Sequence, residues 1–258
     1  ELPIIIFTEG GGGRPGDTDV LTQIAGLHIP SFSSWAQLTG SSLKIAVNNG
    51  YCFAGNAALF GCSDFRIATK TSWIGMAGPA MIEGGGLGVF EPTDIGPVSV
   101  HEKNGVVDYV ATNEEEATLI AKKLLSYFQG SIEDFAVGDQ EILQNIMPED
   151  RRYTYEIRDI INTVSDQDSF LELRKKYGAS IVTGFIRIEG KPFALLASDC
   201  QKLGGAIDSE SAEKAADFIS ICNDHALPIL VLADTPGFMV GPASEELGAV
   251  RRMASLFK

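Results

Sequence analysis

The residues best placed to do chemistry lie between Val47 and Ala68, in VNNGYCFAGNAALFGCSDFRIA. Small residues at Gly50, Ala54 and Gly55 let a backbone turn closely after a strand, and they leave amide N–H groups exposed where a helix starts. Such amides, reinforced by the helix dipole, stabilise an oxyanion without a charged side chain. A tight packing turn between strand and helix uses the same residue types, so the pattern alone leaves both readings open. No Lys-Ser/Thr pair follows this turn or the GGGGRPG run at residues 10–16, which argues against a nucleotide phosphate loop. The three histidines, His28, His101 and His225, are scattered, and Cys52, Cys62, Cys200 and Cys222 show no CxxC spacing. Neither a metal cluster nor a sequence-local catalytic triad is expected, and the cysteines read as buried free thiols.

The elements that must position this turn can be read from pattern. Residues 2–8 predict a buried strand entering a glycine turn, Leu43 to Val47 a second strand, a small-residue helix follows from about Gly55, and Phe65 to Ala68 is a third strand. TNEEEATLIAKKLLSYFQG predicts a helix with Thr112 as N-cap, Glu115 three residues on, and Gly130 as the stop. The acidic stretch that follows, with an amphipathic YEIRDIINTV, reads as a connector. IVTGFIRIEGKPFALLAS splits at Glu189-Gly190-Lys191 into a hairpin or tight crossover, and Asp208 caps a helix that leads into a further strand at Leu227. Strand, helix, strand in this order favours right-handed crossovers and a mainly parallel sheet.

One phrase is written twice. LPIIIFTEGGGG at residues 2–13 returns as LPILVLADTPGF at 227–238, an offset of 225 residues, with an acid at the matching place. Residues 1–33 then align with 226–258, so the chain holds one period of a repeated βαβ-type half and the start of a second. We read residues 1–130 as an N-terminal half lacking its first strands, 131–177 as a helical connector, and 178–258 as the start of a C-terminal half. On this reading the sequence is a fragment cut inside both halves.

Composition bounds the function. With 258 residues, 45% hydrophobic and 21% charged, the chain can bury a substantial core. A formal net charge of −14 argues against nucleic acid, which needs a clustered cationic footprint. No apolar run approaches the ~20 residues of a membrane span and no signal peptide is visible, so a cytoplasmic protein is the default expectation.

GYCFAGNAALFGCSDFRIA resembles the signature of the crotonase superfamily, whose glycine turn supplies an amide to a thioester oxyanion hole. Ala58 stands where enoyl-CoA hydratases of that superfamily carry a catalytic glutamate, which speaks against hydration because alanine has no proton to exchange. Three further passages are similar to the carboxyltransferase components of biotin-dependent acyl-CoA carboxylases: Gly96 to Ala117, Gly184 to Ile219, and Leu227 to Arg252 with its Asp-x-Pro-Gly-Phe. The resemblance covers nearly the whole chain in matching order. The EGGGGRPGDTD and AMIEGGGLGVF variants resemble large bacterial carboxylases that carry several activities on one polypeptide.

This resemblance implies an α/β fold of two crotonase-like (ββα-spiral) halves, in a homo-oligomer whose active site forms where the first half of one subunit meets the second half of another. It implies transfer of CO2 from carboxybiotin, delivered by a separate biotin carboxyl carrier domain, to the α-carbon of an acyl-CoA. Biotin and a coenzyme A thioester are the implied cofactor and substrate. Biotin carboxylase activity must reside elsewhere, since no Met-Lys-Met biotin site and no ATP-grasp glycine loop occur. By the same match Ala54 and Gly55 form the first oxyanion pair, normally Gly-Gly in the family. Gly204 and Gly205 match the second half's turn, and Pro236, Gly237 and Phe238 its biotin-side loop; a turn-fixing role suits these five as well as ligand contact does. Gly50 is a candidate substrate contact; Arg14 and Lys44 are weaker candidates, for CoA phosphates, as is Glu83 for the acyl pocket, and His101 has no proton-transfer partner in the sequence. The second oxyanion turn is expected beyond Lys258, which leaves open whether the piece is active by itself. A biotin-dependent decarboxylase subunit, a crotonase-type hydratase or isomerase, and a non-catalytic scaffold are the alternatives.

Overall fold

Short β-branched runs bounded by turn residues make the strands of the first part of the chain, and small or amphipathic stretches between them make its helices. The computed structural model describes residues 2–11, 30–150 and 152–258. The chain divides into two units, Glu1–Lys122 and Lys123–Lys258. In chain order the first holds β1 (Ile4–Phe7), α1 (Pro30–Gln37), β2 (Lys44–Asn48), β3 (Tyr51–Phe53), α2 (Gly55–Gly61) and β4 (Phe65–Thr69). There follow β5 (Trp73–Gly75), α3 (Pro79–Gly84), α4 (Val98–His101), β6 (Tyr109–Ala111) and α5 (Glu114–Ser126), in which the division falls. Strands β1, β2, β4 and β6 form one sheet in that order, every pair parallel, while β3 and β5 make a two-stranded parallel ribbon. All five residues of β2 are buried, as a central parallel strand requires. Ala46, Cys52, Ala57, Phe60, Ala68 and Ile74 join in one core, which fixes β2, β3 and α2 around the glycine turn. Strand β3 was not foreseen: three residues are too few to show alternation.

The helix expected from Thr112 is present, but its cap is shifted by one residue. Asn113 Oδ1 accepts the Glu116 N–H at 2.9 Å, and the Glu116 carboxylate reaches back to the Thr112 N–H at 2.7 Å. Reciprocal bonding of this kind satisfies amides that the first turn cannot pair.

The second unit holds α6 (Leu143–Ile146), α7 (Ile157–Val164), β7 (Leu171–Leu173), β8 (Ile181–Ile188), β9 (Lys191–Ser198), α8 (Ser209–Asp224), β10 (Ile229–Leu232), α9 (Pro242–Glu246) and α10 (Ala249–Ala254). Its sheet runs β10-β9-β8-β7. Here the expectation of a mainly parallel sheet fails: only β10 and β9 are parallel, while β9 with β8 and β8 with β7 are antiparallel. The reason is the two-residue link Glu189-Gly190, with φ 50° and 73°, a hairpin turn too short for any crossover. The Asp166 carboxylate holds that turn by accepting both its amides, at 2.9 and 2.7 Å. Strand β7 lies in the stretch read as connector. Asp208 caps α8 by accepting the Ser211 N–H at 2.8 Å. The apolar face of YEIRDIINTV, through Ile157 and Ile161, packs on Val182, Ile186 and Leu195. Strands β1 and β10 stand 225 residues apart, the offset of the repeated phrase.

Candidate active site

Around the first turn, side chains from four segments converge. Beyond β2 the backbone reverses at Asn49 and Gly50, the latter at φ 130°, a conformation open to glycine and costly for other residues. Asn48 Nδ2 donates to Gly50 O at 2.8 Å, Thr69 Oγ1 to Asn49 Oδ1 at 2.8 Å, and Ser72 Oγ to Asn48 O at 3.0 Å. The Glu9 carboxylate accepts the Asn49 N–H at 2.6 Å. Strand β3 then leads to Ala54 and the start of α2.

Ala54 has φ 56° and ψ −122°, which only a glycine adopts without strain. This accounts for the glycine that the resemblance places at its position. Its N–H donates to Gly75 O at 3.0 Å, and the first intrahelical bond runs from Ala58 N to Ala54 O at 3.0 Å. The amides of Gly55, Asn56 and Ala57 therefore have no intrahelical acceptor, and of the expected pair Gly55 is the available donor while Ala54 shapes the turn. A Cβ at Gly55 would lie 2.8 Å from Phe32 Cζ, so that ring walls the approach. Asn56 Nδ2 donates to Thr8 O and Glu9 O, at 3.1 and 3.2 Å, tying the helix start to the strap that follows β1. That strap continues the pairing: Gly10 N donates to Tyr51 O at 2.7 Å and Phe53 N to Gly10 O at 2.9 Å.

The weaker candidates of the first unit separate clearly. Arg14 lies outside the described residues. Lys44 is fully buried, with Nζ donating to Thr39 Oγ1 at 2.7 Å and Cys62 O at 3.0 Å, so it holds the base of β2 rather than meeting a phosphate. Glu83 is exposed on α3. His101 Nε2 lies 2.7 Å from Ile74 O, and a Cβ on Gly96 would come within 1.8 Å of that same carbonyl. His101 closes a tight backbone corner. Cys52, Cys200 and Cys222 are buried as expected, but Cys62, at the C-terminal cap of α2, is exposed.

In the second unit the structure brings the KLGG turn and the DTPGF loop together. Leu203, Gly204 and Gly205 have φ of 52°, 61° and 81°, and Gly205 N donates to Lys202 O at 2.8 Å. A Cβ on Gly205 would meet Asp234 O at 2.6 Å, whereas the corresponding space at Gly204 is open. Ile207 N donates to Gly237 O at 3.0 Å and Met239 N to Ile207 O at 2.9 Å, zipping the two loops. Pro236 is exposed on this surface. Phe238 is half-buried against Ala212, Ala249 and Met253, so its ring serves packing. An open cleft of about 870 Å³ adjoins the turn, lined by Tyr155, Cys200, Gly204, Ala233 and Asp234 among others.

Residues that sequence reasoning did not single out also hold these turns, among them Asn48, Asn56 and Thr69 in the first and Tyr155 and Asp199 in the second. The acid shared by the two copies of the repeated phrase, Glu9 and Asp234, was the available signal. Among the described residues no group of three or more His, Cys, Asp or Glu could hold a metal ion, and no helix is long and apolar enough to cross a membrane.

Comparison with known proteins places the chain in a family and a fold. A family model for the carboxyl transferase domain matches residues 1–258. The methylmalonyl-CoA carboxyltransferase 12S subunit of Propionibacterium freudenreichii subsp. shermanii is 28% identical over 98% of this chain and 50% of its own length. A propionyl-CoA carboxylase beta chain of Rhodococcus erythropolis is 31% identical over 99% of this chain and 55% of its own. The chain thus spans about half the length of the curated relatives it matches. Among solved structures, a single-chain, multi-domain long-chain acyl-CoA carboxylase superposes with a TM-score of 0.93 at 48% identity, over 99% of this chain and 26% of that one. The hexameric transcarboxylase 12S superposes with a TM-score of 0.82 at 28% identity, covering 98% of this chain and 50% of that one. The fold is accordingly the crotonase type shared with these carboxyltransferases, and the chain belongs to the carboxyl transferase domain family.

Proposed function

We propose that this chain is the carboxyltransferase part of a biotin-dependent acyl-CoA carboxylase, moving CO2 from carboxybiotin to the carbon α to an acyl-CoA thioester. The observation that carries the reading is the turn at Ala54 and Gly55, followed at Ala58 by a residue that cannot act as acid or base. An enolate formed from a thioester needs donors aimed at its oxygen, and the Gly55 amide, in a rigid turn, is such a donor. Ala54 keeps the turn in shape, and Phe32 closes one side of the approach. When bound on this side, carboxybiotin would supply both the CO2 and, as released biotin, the base, so no side-chain base is required of this chain. Gly204, Gly205, Pro236 and Gly237 form the surface we assign to the biotin side. The relatives named above support acyl-CoA as substrate class, and the hexamer of the 12S subunit supports a homo-oligomer, with carrier and biotin carboxylase as partner domains or subunits.

The test is an assay of the full-length protein with a biotinylated carrier, its biotin carboxylase, bicarbonate, ATP and acyl-CoAs of increasing length. Carboxylated acyl-CoA is the expected product. Absence of carboxylation with every chain length, together with hydration of an enoyl-CoA, overturns the reading.

A further inference from the structure

Tyr155 and Arg158 stand three residues apart at the start of α7, and each is tied to a different loop. Tyr155 Oη donates to Asp234 Oδ2 at 2.8 Å, in the DTPGF loop. Arg158 Nη1 donates to Asp199 Oδ2 at 2.9 Å, while its Nε and Nη2 donate to the Glu172 carboxylate at 2.9 and 2.5 Å. Asp199 is 1% exposed and opens the segment that reaches Gly204 and Gly205. Its carboxylate accepts the Gln201 N–H at 3.0 Å and its carbonyl the Lys202 N–H at 3.0 Å, which sets the course of the KLGG turn.

The two loops share one short parallel bridge, Ile207 to Phe238, and neither belongs to a named strand. The turn carries three consecutive residues at positive φ, one of them a leucine, and such a conformation persists only where its surroundings determine it. Two of those surroundings come from one short segment. Burial and the neighbouring Asp234 carboxylate lift the Tyr155 phenol well above its usual range, so it remains a donor at working pH. Hydrogen bonds to Glu172 and Asp199 keep the Arg158 guanidinium charged. Tyr155 also lines the cleft of about 870 Å³ beside Gly204 and Asp234, so a shift of its ring is felt where the two loops are open.

We propose that Tyr155 and Arg158 are positioning residues, and that the connector acts as a brace holding the KLGG turn and the DTPGF loop in register for the carboxybiotin side of the reaction. The inference rests on the function proposed above. It assigns to the connector a part in one half-reaction and none in thioester binding.

The experiment uses the full-length protein with its carboxylated carrier. Tyr155→Phe removes one hydrogen bond to a carboxylate and should lower kcat/KM for the carrier about tenfold, leaving KM for acyl-CoA within about twofold. Asp234→Asn, which keeps an acceptor for the phenol, should fall between Tyr155→Phe and the wild type. Arg158→Lys keeps the charge but loses the two-pronged contact and should act on the same constant. An unchanged kcat/KM for the carrier, or an equal rise in both KM values, overturns the brace. Amide hydrogen exchange supplies a readout independent of turnover. In Tyr155→Phe, exchange at Ile207 and Met239 should quicken about tenfold. Unchanged exchange there overturns the brace even in an inactive protein, whereas a wild type that never transfers CO2 overturns the proposed function alone.

Discussion

The two copies of the repeated phrase fold alike and are held differently. Strands β1 and β10 are each followed two residues on by an acid, Glu9 and Asp234, at matching positions. Among the described residues β1 pairs in parallel with β2, which follows it in the chain, while β10 pairs in parallel with β9, which precedes it. Glu9 accepts a backbone amide, Asn49 N–H, and Asp234 accepts a phenol, Tyr155 Oη. Around the first turn the side chains of Asn48, Asn56, Thr69 and Ser72 add to the backbone bonds through Gly10 and Gly75. Around the second, backbone meets backbone at Gly205 and Asp234, with donors from the connector. The lesson is that a repeated phrase conserves strand, acid and turn, while the donor that satisfies the acid is whatever its own unit brings near.

The largest test of this contrast compares two glycines. Gly205→Ala places a Cβ against a backbone carbonyl at 2.6 Å and at φ 81°, and should cost about 3 kcal/mol. Gly10→Ala meets a side-chain nitrogen, Asn56 Nδ2, also at 2.6 Å. Because that amide can rotate away, we expect a loss nearer 1 kcal/mol. Denaturant midpoints decide it, and equal losses would break the distinction between backbone-held and side-chain-held turns.

Next comes a gain. Ala54→Gly relieves a residue at φ 56° and should stabilise by about 1 kcal/mol after the added unfolded-state entropy is counted. A lower melting temperature would mean that the Ala54 methyl packs usefully. Glu9→Ala, on the surface, should cost about 0.5 kcal/mol, and Glu9→Gln less, since it keeps an acceptor for Asn49 N–H. If Glu9→Gln is as damaging as Glu9→Ala, charge rather than acceptance is what Glu9 provides.

The last effect is nil at neutral pH and grows only in alkali. Burial pushes the Cys52 thiol up to about 11 from an ordinary value near 9.0. A raised folded value means that the unfolded chain loses its proton first, so stability is full below pH 9 and declines as pH rises from 9 through 11. Cys52→Ser should flatten that decline in a pH series of unfolding midpoints. A thiol reagent at neutral pH should label Cys62 alone rapidly, since the other three thiols are buried.

Strong local signals transferred well from sequence to structure. The Asp208 cap, the helix ending before Gly130 and the strand phrase at 4–7 and 229–232 depend on neighbours within a few residues, so sequence spacing reports them. Strand β7 and the pairing direction in the second unit were illegible for the opposite reason. Leu171–Leu173 is a strand because β8 lies beside it, and Glu189-Gly190 announced a reversal without saying whether the chain would pair with itself or cross over. Part of the candidate site was legible too: the turn at Gly50, Ala54 and Gly55 stood out by its small residues. That Gly75 O takes the Ala54 amide did not, because the partner is 21 residues away.

By itself the sequence determined the period of the repeat, the composition of the glycine turns and the family to which the chain belongs. These are properties of residue type and order. Only the tertiary structure decided which amides remain free at the first turn, that Lys44 is buried rather than exposed, and that Tyr155 and Arg158 grip two loops at once. The physical reason is that a hydrogen bond has a direction and a length. A chain segment states which donors it carries, and the packing of distant segments selects the acceptor that each one meets.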